Sequence, residues 1–517
     1  MEDPSILSLV PPLLALLMII TTRKVLPSLG AGILIGALIL GDWSALAALS
    51  LIWDTFAGIF VTDGALNNWE LYIIFFLLIL GVMAALISFS GGSRAYGEWA
   101  LRRVKTRTGA QLITLFLGIL VFIDDYFNSL TVGQVSQPLT DRHQISRTKL
   151  AYIVDTAAAP ICVIAPLSSW GAYIITIIAD VLRSHGLTDI GGLQAFVFMI
   201  PMNFYALTAI LFLFLVIIWK LDFGPMRTHE KRAIVEGQMF DPAHASIIGG
   251  KDKNLEEKEG HVRDLVVPIL LLIACTVFFI IFTGVQGAES ITLLSIFAET
   301  DVASSLVYGG LIGLLAAIFF TVRKRPSASS FWRTIWIGVR SMLPAIYILI
   351  MAWIIVTIID ELGTGKYMAT FIDGKIPLFS LPALLFLLAG FMAFSTGTSW
   401  GTFSILLPIA GEIAATLDIT MMLPLLAAVL AGSILGDHCS PISDTTILSS
   451  TGAGSHHIDH VMTQIPYAVL VAVSSLIGYL VLGTTGSTLL GLIAAVAATF
   501  LIAVVLKIMY KPLSHIV

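Results

Sequence analysis

Residues 390 to 403 read GFMAFSTGTSWGTF, and residues 118 to 131 read GILVFIDDYFNSLT. Both start as apolar helix and then, inside otherwise hydrophobic sequence, run into glycine, serine, threonine or asparagine. A break of this kind is costly in hydrocarbon, because each unpaired backbone amide or carbonyl there forfeits a hydrogen bond that no water replaces. Breaks persist where they line a site. In carriers, unwound carbonyls and half-helix ends meet ions near the bilayer midplane. A second pair of segments repeats the pattern: Ala-Pro-Ile at 159 to 161 and Ser-Pro-Ile at 440 to 442 each precede Leu-Ser-Ser, at 167 to 169 and 448 to 450, with the same spacing from proline to triplet. Two matched pairs, one in each half, point to an internal repeat.

The rest of the chain supplies the membrane. Of 517 residues, 57% are hydrophobic and 12% charged, and the mean hydropathy is +0.95. Soluble domains carry about 25% charged residues. Apolar runs near the roughly 20 residues that a spanning helix needs recur at 5–22, 25–40, 71–90, 150–181, 193–219, 265–284, 303–322, 342–359, 378–394, 461–482 and 488–509. Counting weaker and interrupted runs, roughly 11 to 14 membrane segments are expected. The first follows Met-Glu-Asp-Pro without a basic start or a small-residue cleavage site, and is expected to be retained. Cys162, Cys275 and Cys439 sit in apolar surroundings and imply no disulfide framework.

Charge placement orients the chain. Basic clusters at Arg23–Lys24, Arg94 to Arg107, Arg142 to Lys149, 220–264 and Arg323 to Arg333 are placed in the cytoplasm, while 62–70 and 286–301, with Asp63, Glu70, Glu289, Glu299 and Asp301 but no Lys or Arg, are placed outside. This distribution is what insertion requires and is unlike a nucleic-acid surface. With that orientation the span at 71–90 runs inward and its counterpart at 342–359 runs outward, which describes an inverted repeat. The expected organisation is N-terminal membrane helices over 1–70, a first transport repeat over 71–219, a polar cytoplasmic connection over 220–264 that reads as solvated, connecting membrane helices over 265–330, a second and inverted repeat over 331–485, and a C-terminal membrane helix over 486–517. The fold class is therefore an all-α polytopic membrane protein with broken helices and re-entrant hairpins. No phosphate-binding loop, zinc-ligand spacing or nucleotide-binding domain occurs, so neither an enzyme nor an ATP-driven pump is expected, and no cofactor or transition metal is called for.

Two residue classes carry the chemistry. The run 395–404 offers Ser395, Thr396, Thr398, Ser399, Thr402 and Ser404 around two glycines, a hairpin tip rich in neutral oxygen; such hydroxyls complete cation shells or else bond back to helix carbonyls. Asn128, Ser129 and Thr131 in the first half, and Ser443 and Thr445 in the second, are the matching candidates. The second class is carboxylates at membrane depth: Asp124, Asp125, Asp155, Asp437 and Asp444. Burying a carboxylate is expensive unless it is paired, protonated or facing water; the structural alternative is that one of the pair Asp124 and Asp125, and likewise Asp444, caps a half-helix N-terminus. Pro160 and Pro166 interrupt the helix that Asp155 opens, and Pro441 lies between Asp437 and Asp444. No Lys or Arg occurs between Lys375 and Lys507, from Gln111 to Asp141, or from Ala151 to Leu182. A site of acids and neutral oxygens without a fixed cation suits Na+, or a proton competing for the same carboxylates. His438 is a candidate proton relay or a hydrogen-bonded structural residue. His456, His457 and His460 read as a solvated connection.

GTSWGTFSILLPIAG at 397–411 and GDHCSPISDTTILSS at 436–450 resemble the second-half signatures of the NhaC-type sodium/proton antiporters of the ion transporter superfamily, and FIDDYFNSLTVG at 122–133 is similar to the first-half motif. The resemblance spans most of 70–485. It implies an inverted-repeat fold with paired hairpins, a scaffold able to form a homodimer, and a multi-pass protein of the bacterial inner membrane among its lipids. Because that family also contains carriers of organic acids and amino acids, two functions stand: exchange of Na+ for H+, and Na+- or H+-coupled transport of an amino acid or small carboxylate. Half-helix N-termini can hold a substrate carboxylate without arginine, and Trp170, Tyr173 and Trp400 lie near enough to the breaks to line an organic pocket or to pack. A channel is the third class, but paired broken helices with buried acids fit alternating access better than an open pore.

Overall fold

The computed structural model describes residues 6–510 apart from Arg23, Asp63, Thr188, 243–258, 288–295, 297–299, 364–366, 368–375 and Ile442. The expected outer segment at Asp63, Glu289 and Glu299 and the charged run 251–259, save Glu259, lie outside the described residues. Helices dominate, and the described strands are a two-stranded ribbon, β1 (Val61–Thr62) against β2 (Ala65–Leu66).

In the N-terminal part, α1 (Val10–Thr22), α2 (Val25–Leu40) and α3 (Ala45–Phe60) lead to α4 (Asn68–Phe89), and α2 and α3 meet at a bend of 120°. Then follow α5 (Gly92–Arg103), α6 (Arg107–Leu120), α7 (Asp125–Arg142), α8 (Arg147–Thr156), α9 (Ala159–Cys162), α10 (Ser169–Ser184), α11 (Gly192–Met199), α12 (Phe204–Trp219) and α13 (Gly224–Glu236). Two long helices, α14 (Val262–Gly287) and α15 (Val302–Val322), connect to α16 (Ala328–Glu361). The last part comprises α17 (Leu381–Thr396), α18 (Ser399–Leu417), α19 (Met422–Cys439), α20 (Asp444–Ala453), α21 (His457–Thr485) and α22 (Thr488–Met509). Among the described residues, ten helices are long and apolar enough to cross a membrane, or up to eleven when the bent pair α2 and α3 counts as one span. The expected runs 150–181 and 193–219 are not continuous helices: the first is cut between α8, α9 and α10, and the second between α11 and α12.

Burial separates the centre from the rim. The most apolar window of α18 is 83% buried within the protein, whereas that of α22 is 28% and that of α14 is 33%. Leu270, Phe278 and Phe282 on α14 and Leu489, Leu501 and Ile508 on α22 are exposed, the surface that acyl chains would cover. At the centre α17 crosses α19 so closely that a Cβ on Gly436 would lie 2.2 Å from the carbonyl oxygen of Gly390. Only glycine allows that approach, and small residues at such crossings are how membrane helices gain contact without a hydrophobic drive between them.

The described beginning of the polar stretch 220–264 is folded and docked, not a solvated connection. Its first part folds as α13, whose Glu230 is buried and pairs with Arg107 while accepting a hydrogen bond from the Ser146 amide at 2.8 Å. Lys149, also buried, pairs with Asp222 at 2.7 Å. A buried charge requires a partner. These pairs dock the stretch onto α6 and α8, and its composition conceals them because each partner lies far away in sequence.

Candidate functional site

Four interruptions meet at the centre. Between α6 and α7 the chain passes through 121–124, and the Asp124 carbonyl accepts the Asn128 amide at 3.0 Å, so Asp124 occupies the position just before the helix. Between α17 and α18, Gly397 adopts φ +70°, a left-handed cap that no β-carbon residue takes cheaply, and its amide closes on Ala393 O at 2.8 Å. After α8 the backbone turns at Ala157 and Ala158, Pro160 starts α9 where a missing amide costs nothing, and Ser168 caps α10 by accepting the Gly171 amide at 2.8 Å. After α19, Ser440 and Pro441 end the helix and Ser443 caps α20 by accepting the Thr446 amide at 3.3 Å. The packing of these pieces is reciprocal: α7 lies against α20, and α10 against α18. At the first crossing a Cβ on Gly133 would sit 2.5 Å from the Gly452 backbone.

Asp124, Asp125, Asp155 and Asp437 are all buried at these breaks. Ser169 Oγ donates to Asp124 Oδ2 at 2.9 Å. Asp437 accepts from Ser443 Oγ at 2.7 Å and from Ser399 Oγ at 3.1 Å. Asp155 is ringed by Gln464 Nε2 at 2.6 Å, His460 Nε2 and Thr446 Oγ1 at 3.2 Å, and Ser449 Oγ at 3.3 Å. Asp444 is exposed where the other four are buried: it opens α20, where the helix dipole favours an acid, and it accepts from Tyr126 Oη at 3.2 Å. The only basic group paired with Asp125, Asp155, Asp437 or Asp444 among the described residues is His460, and no Lys or Arg reaches them.

The neutral oxygens divide into two sets. Ser399 points at Asp437, Ser443 bonds both Asp437 and, at 2.8 Å, Thr445, and Ser129 lies 3.2 Å from Ser449. Thr396 and Thr402 instead satisfy their own turn: Thr396 Oγ1 accepts the Thr398 amide and Thr402 Oγ1 donates to Thr398 O at 3.0 Å. Ser395 and Thr398 are half-buried and Thr131 is buried. Asn128 spends its amide on the break itself, with Nδ2 within 2.7 Å of Gly118 O, 3.1 Å of Ala157 O and 3.2 Å of Val121 O. Three carbonyl acceptors fix which end of that amide is nitrogen, so its oxygen points the other way. That Oδ1 and, one turn earlier on α7, Asp125 Oδ2 are buried without a hydrogen-bond partner.

Counting protons against acceptors defines what the arrangement lacks. Ser399 Oγ has one proton and two acceptors, Asp437 Oδ2 and Ser433 O, each at 3.1 Å. Thr446 Oγ1 likewise faces both Asp155 Oδ2 at 3.2 Å and Asp437 O at 3.3 Å. The two oxygens on α7 and Gln464 Oε1 are buried acceptors without a partner, and Trp170 Nε1 and His460 Nδ1 are buried without one beside them. Buried polar atoms left unmatched in this way are where a cation, a proton or water is taken up.

Residues beyond the repeats complete the site. His460 and Gln464 project from α21, not from a solvated connection; His460 is fully buried, and His457 starts the same helix with Nε2 2.6 Å from Pro441 O. His438 bridges Thr156 Oγ1 at 3.1 Å and Tyr205 Oη at 2.9 Å, so both ring nitrogens have partners. Of the residues the sequence reading passed over, Ser169 and Ser449 lie in the repeated Leu-Ser-Ser triplets, which was their available signal. Trp170, Tyr173 and Trp400 cluster at the facing starts of α10 and α18, with Tyr173 and Trp400 ring centroids 4.6 Å apart.

A family model described as the Na+/H+ antiporter family matches residues 161–484. The chain is 44% identical over 511 residues to an uncharacterized protein of Haemophilus influenzae, covering 97% of this chain and 96% of that one. A shorter match, 32% identical over 159 residues, covers 29% of this chain and 30% of the arginine/ornithine antiporter ArcD of Halobacterium salinarum. Among solved structures, the YdaH transporter of Alcanivorax borkumensis aligns with a TM-score of 0.56 at 14% identity, over 86% of this chain and 90% of that one, a likeness of fold.

Proposed function

This chain belongs to the Na+/H+ antiporter family, and we propose that it exchanges Na+ for H+ across the bacterial inner membrane by alternating access. The observation that carries the reading is the cluster of buried carboxylates Asp124, Asp125, Asp155 and Asp437, lined by serine and threonine hydroxyls, in a region without Lys or Arg. Na+ is held by oxygens, and a proton neutralises the same carboxylates, so each ion excludes the other. A carrier that changes its facing only when one of them is bound then exchanges them without ATP. Asp124, Asp125, Asp155 and Asp437 are the coupling acids of this proposal, Asp444 is an accessible acid at the entrance, and Ser399, Ser443, Ser129 and Asn128 Oδ1 are the neutral ligands. The reciprocal contacts of α7 with α20 and of α10 with α18 support reading the halves as inverted repeats.

A carrier of an amino acid or small carboxylate is the second reading, favoured by the aromatic cluster at Trp170, Tyr173 and Trp400 and by the partial match to an arginine/ornithine antiporter. Proteoliposomes separate the two. Under the first, an imposed Na+ gradient drives opposite proton movement with no organic solute present, and added amino acids leave the rate unchanged. Proton movement that requires an added organic solute would favour the second.

Within the hairpin, Ser399→Ala is expected to raise the apparent Na+ constant about ten-fold, since a hydrogen bond to a charged group is worth about 1.5–3 kcal/mol. Thr402→Ala should change it less than two-fold, because that hydroxyl serves its own helix turn. Measuring Na+ dependence of proton movement for both variants checks the assignment; equal effects would remove Ser399 from the binding set.

A further inference from the structure

An open cavity with basic side chains in its lining lies at the opposite end of α7 from Asp125. It has a volume of about 540 Å³ and is lined by Glu98, Leu101, Arg102, Val104, Lys105, Arg142 and His143. Its walls are the end of α5, the segment leading into α6, and the end of α7. Arg102, Lys105 and Arg142 are exposed, and among the described residues none has an acidic partner. Arg142 is steadied by its bond to Leu101 O at 3.2 Å, and the one acid in the lining, Glu98, is engaged by Arg94 at 3.2 Å. His143 Nε2 is buried without a partner. The cavity therefore presents excess positive charge and unused donors.

Its depth in the membrane follows from helix length. The 18 residues of α7 span about 27 Å, and the hydrocarbon is about 30 Å thick. With Asp125 near the midplane, that length exceeds the half-thickness of about 15 Å, so Arg142 lies outside the hydrocarbon, on its aqueous and headgroup side. Trp99, on the same α5, is 42% exposed and stacks near Tyr96, as an aromatic at a membrane interface does. A scatter of basic residues would be enough to orient a membrane protein, but orientation alone does not call for them to share one cavity.

We propose that this cavity binds the phosphate headgroup of an anionic phospholipid, and that the bound lipid anchors the far end of the helix carrying Asp125. α5, which forms one wall, packs against α7 closely enough that a Cβ on Gly97 would lie 2.8 Å from Val135 O. Cations at a helix C-terminus also complement its dipole, so Arg142 is held where the headgroup needs it.

The test uses the purified full-length protein in detergent, titrated separately with phosphatidylglycerol, phosphatidylcholine and inorganic phosphate. Thermal unfolding and lipid retention in native mass spectrometry are the readouts. Phosphatidylglycerol should raise the unfolding midpoint and remain bound, whereas phosphatidylcholine should do neither. The double variant Arg102→Gln/Lys105→Gln should bind phosphatidylglycerol roughly thirty-fold less tightly, each basic residue beside an anionic surface contributing about a factor of five. Its lipid-free midpoint should match wild type, since both side chains are exposed. Equal responses to the two lipids, or unaltered binding by the double variant, would overturn the proposal. Stabilisation by inorganic phosphate to the same extent would also overturn it, by assigning the cavity to a free anion. None of these readouts involves transport, so their outcome is separable from that of the exchange reading.

Discussion

Asp125→Asn should reduce Na+-driven proton movement at least 100-fold while leaving the protein inserted and as stable as wild type, or more so. The side chain is buried beside the Trp170 indole N–H, and no Lys or Arg is paired with it among the described residues. Asparagine preserves its size but removes the charge and the titration, so both ions lose a ligand that they are proposed to share. Replacing a buried carboxyl by a neutral amide of the same size removes the cost of desolvating its charged form. Transport in proteoliposomes and thermal unfolding in detergent must be measured on the same preparation. Full activity would remove Asp125 from the coupling mechanism, and loss of activity accompanied by unfolding would make its role structural.

Asn128→Ala, unlike Asp125→Asn, should lose stability, by about 2 kcal/mol, because its amide shares two protons among three carbonyl partners and each hydrogen bond is worth roughly 1 kcal/mol. Gly118, Val121 and Ala157 lie at the ends of α6 and α8, where terminal carbonyls have no helical partner and the membrane offers no water. Asn128→Asp should be no better, because it replaces the donor with an acceptor facing those carbonyls. Unfolding midpoints of the two variants check this. If both match wild type, other donors must reach the carbonyls, and the break is held by something other than Asn128.

The contrast between Asp125 and Asn128, one turn apart, marks the limit of what sequence reveals. That both sit at a membrane break was legible, because polar residues interrupt an apolar run and such interruptions need a cause. Helix limits were similarly legible where apolar character ends abruptly: 25–40 and 488–509 coincide with α2 and α22. Which polar atom faces a carboxylate and which faces a carbonyl was not, since it depends on side-chain direction at a turn. Ser399 and Thr402 are three residues apart, yet one bonds Asp437 and the other its own helix. His460 was misplaced for a related reason: a histidine-rich stretch after glycine reads as solvated, and nothing local announces that Asp155, 305 residues away, lies against it. The docking of α13 through Glu230 and Arg107 was hidden in the same way.

The central claim is that Na+ and H+ compete for one acidic centre, and proton release on Na+ binding tests it most directly. Purified protein is held in weakly buffered detergent solution at a pH where the centre is partly protonated, and Na+ is added with choline as the control cation. Competition predicts that Na+ expels protons, that its apparent affinity weakens as pH falls because protonation neutralises its ligands, and that Asp125→Asn releases fewer protons than wild type. Saturable Na+ binding with no proton release at any pH, or with an affinity independent of pH, would contradict the account.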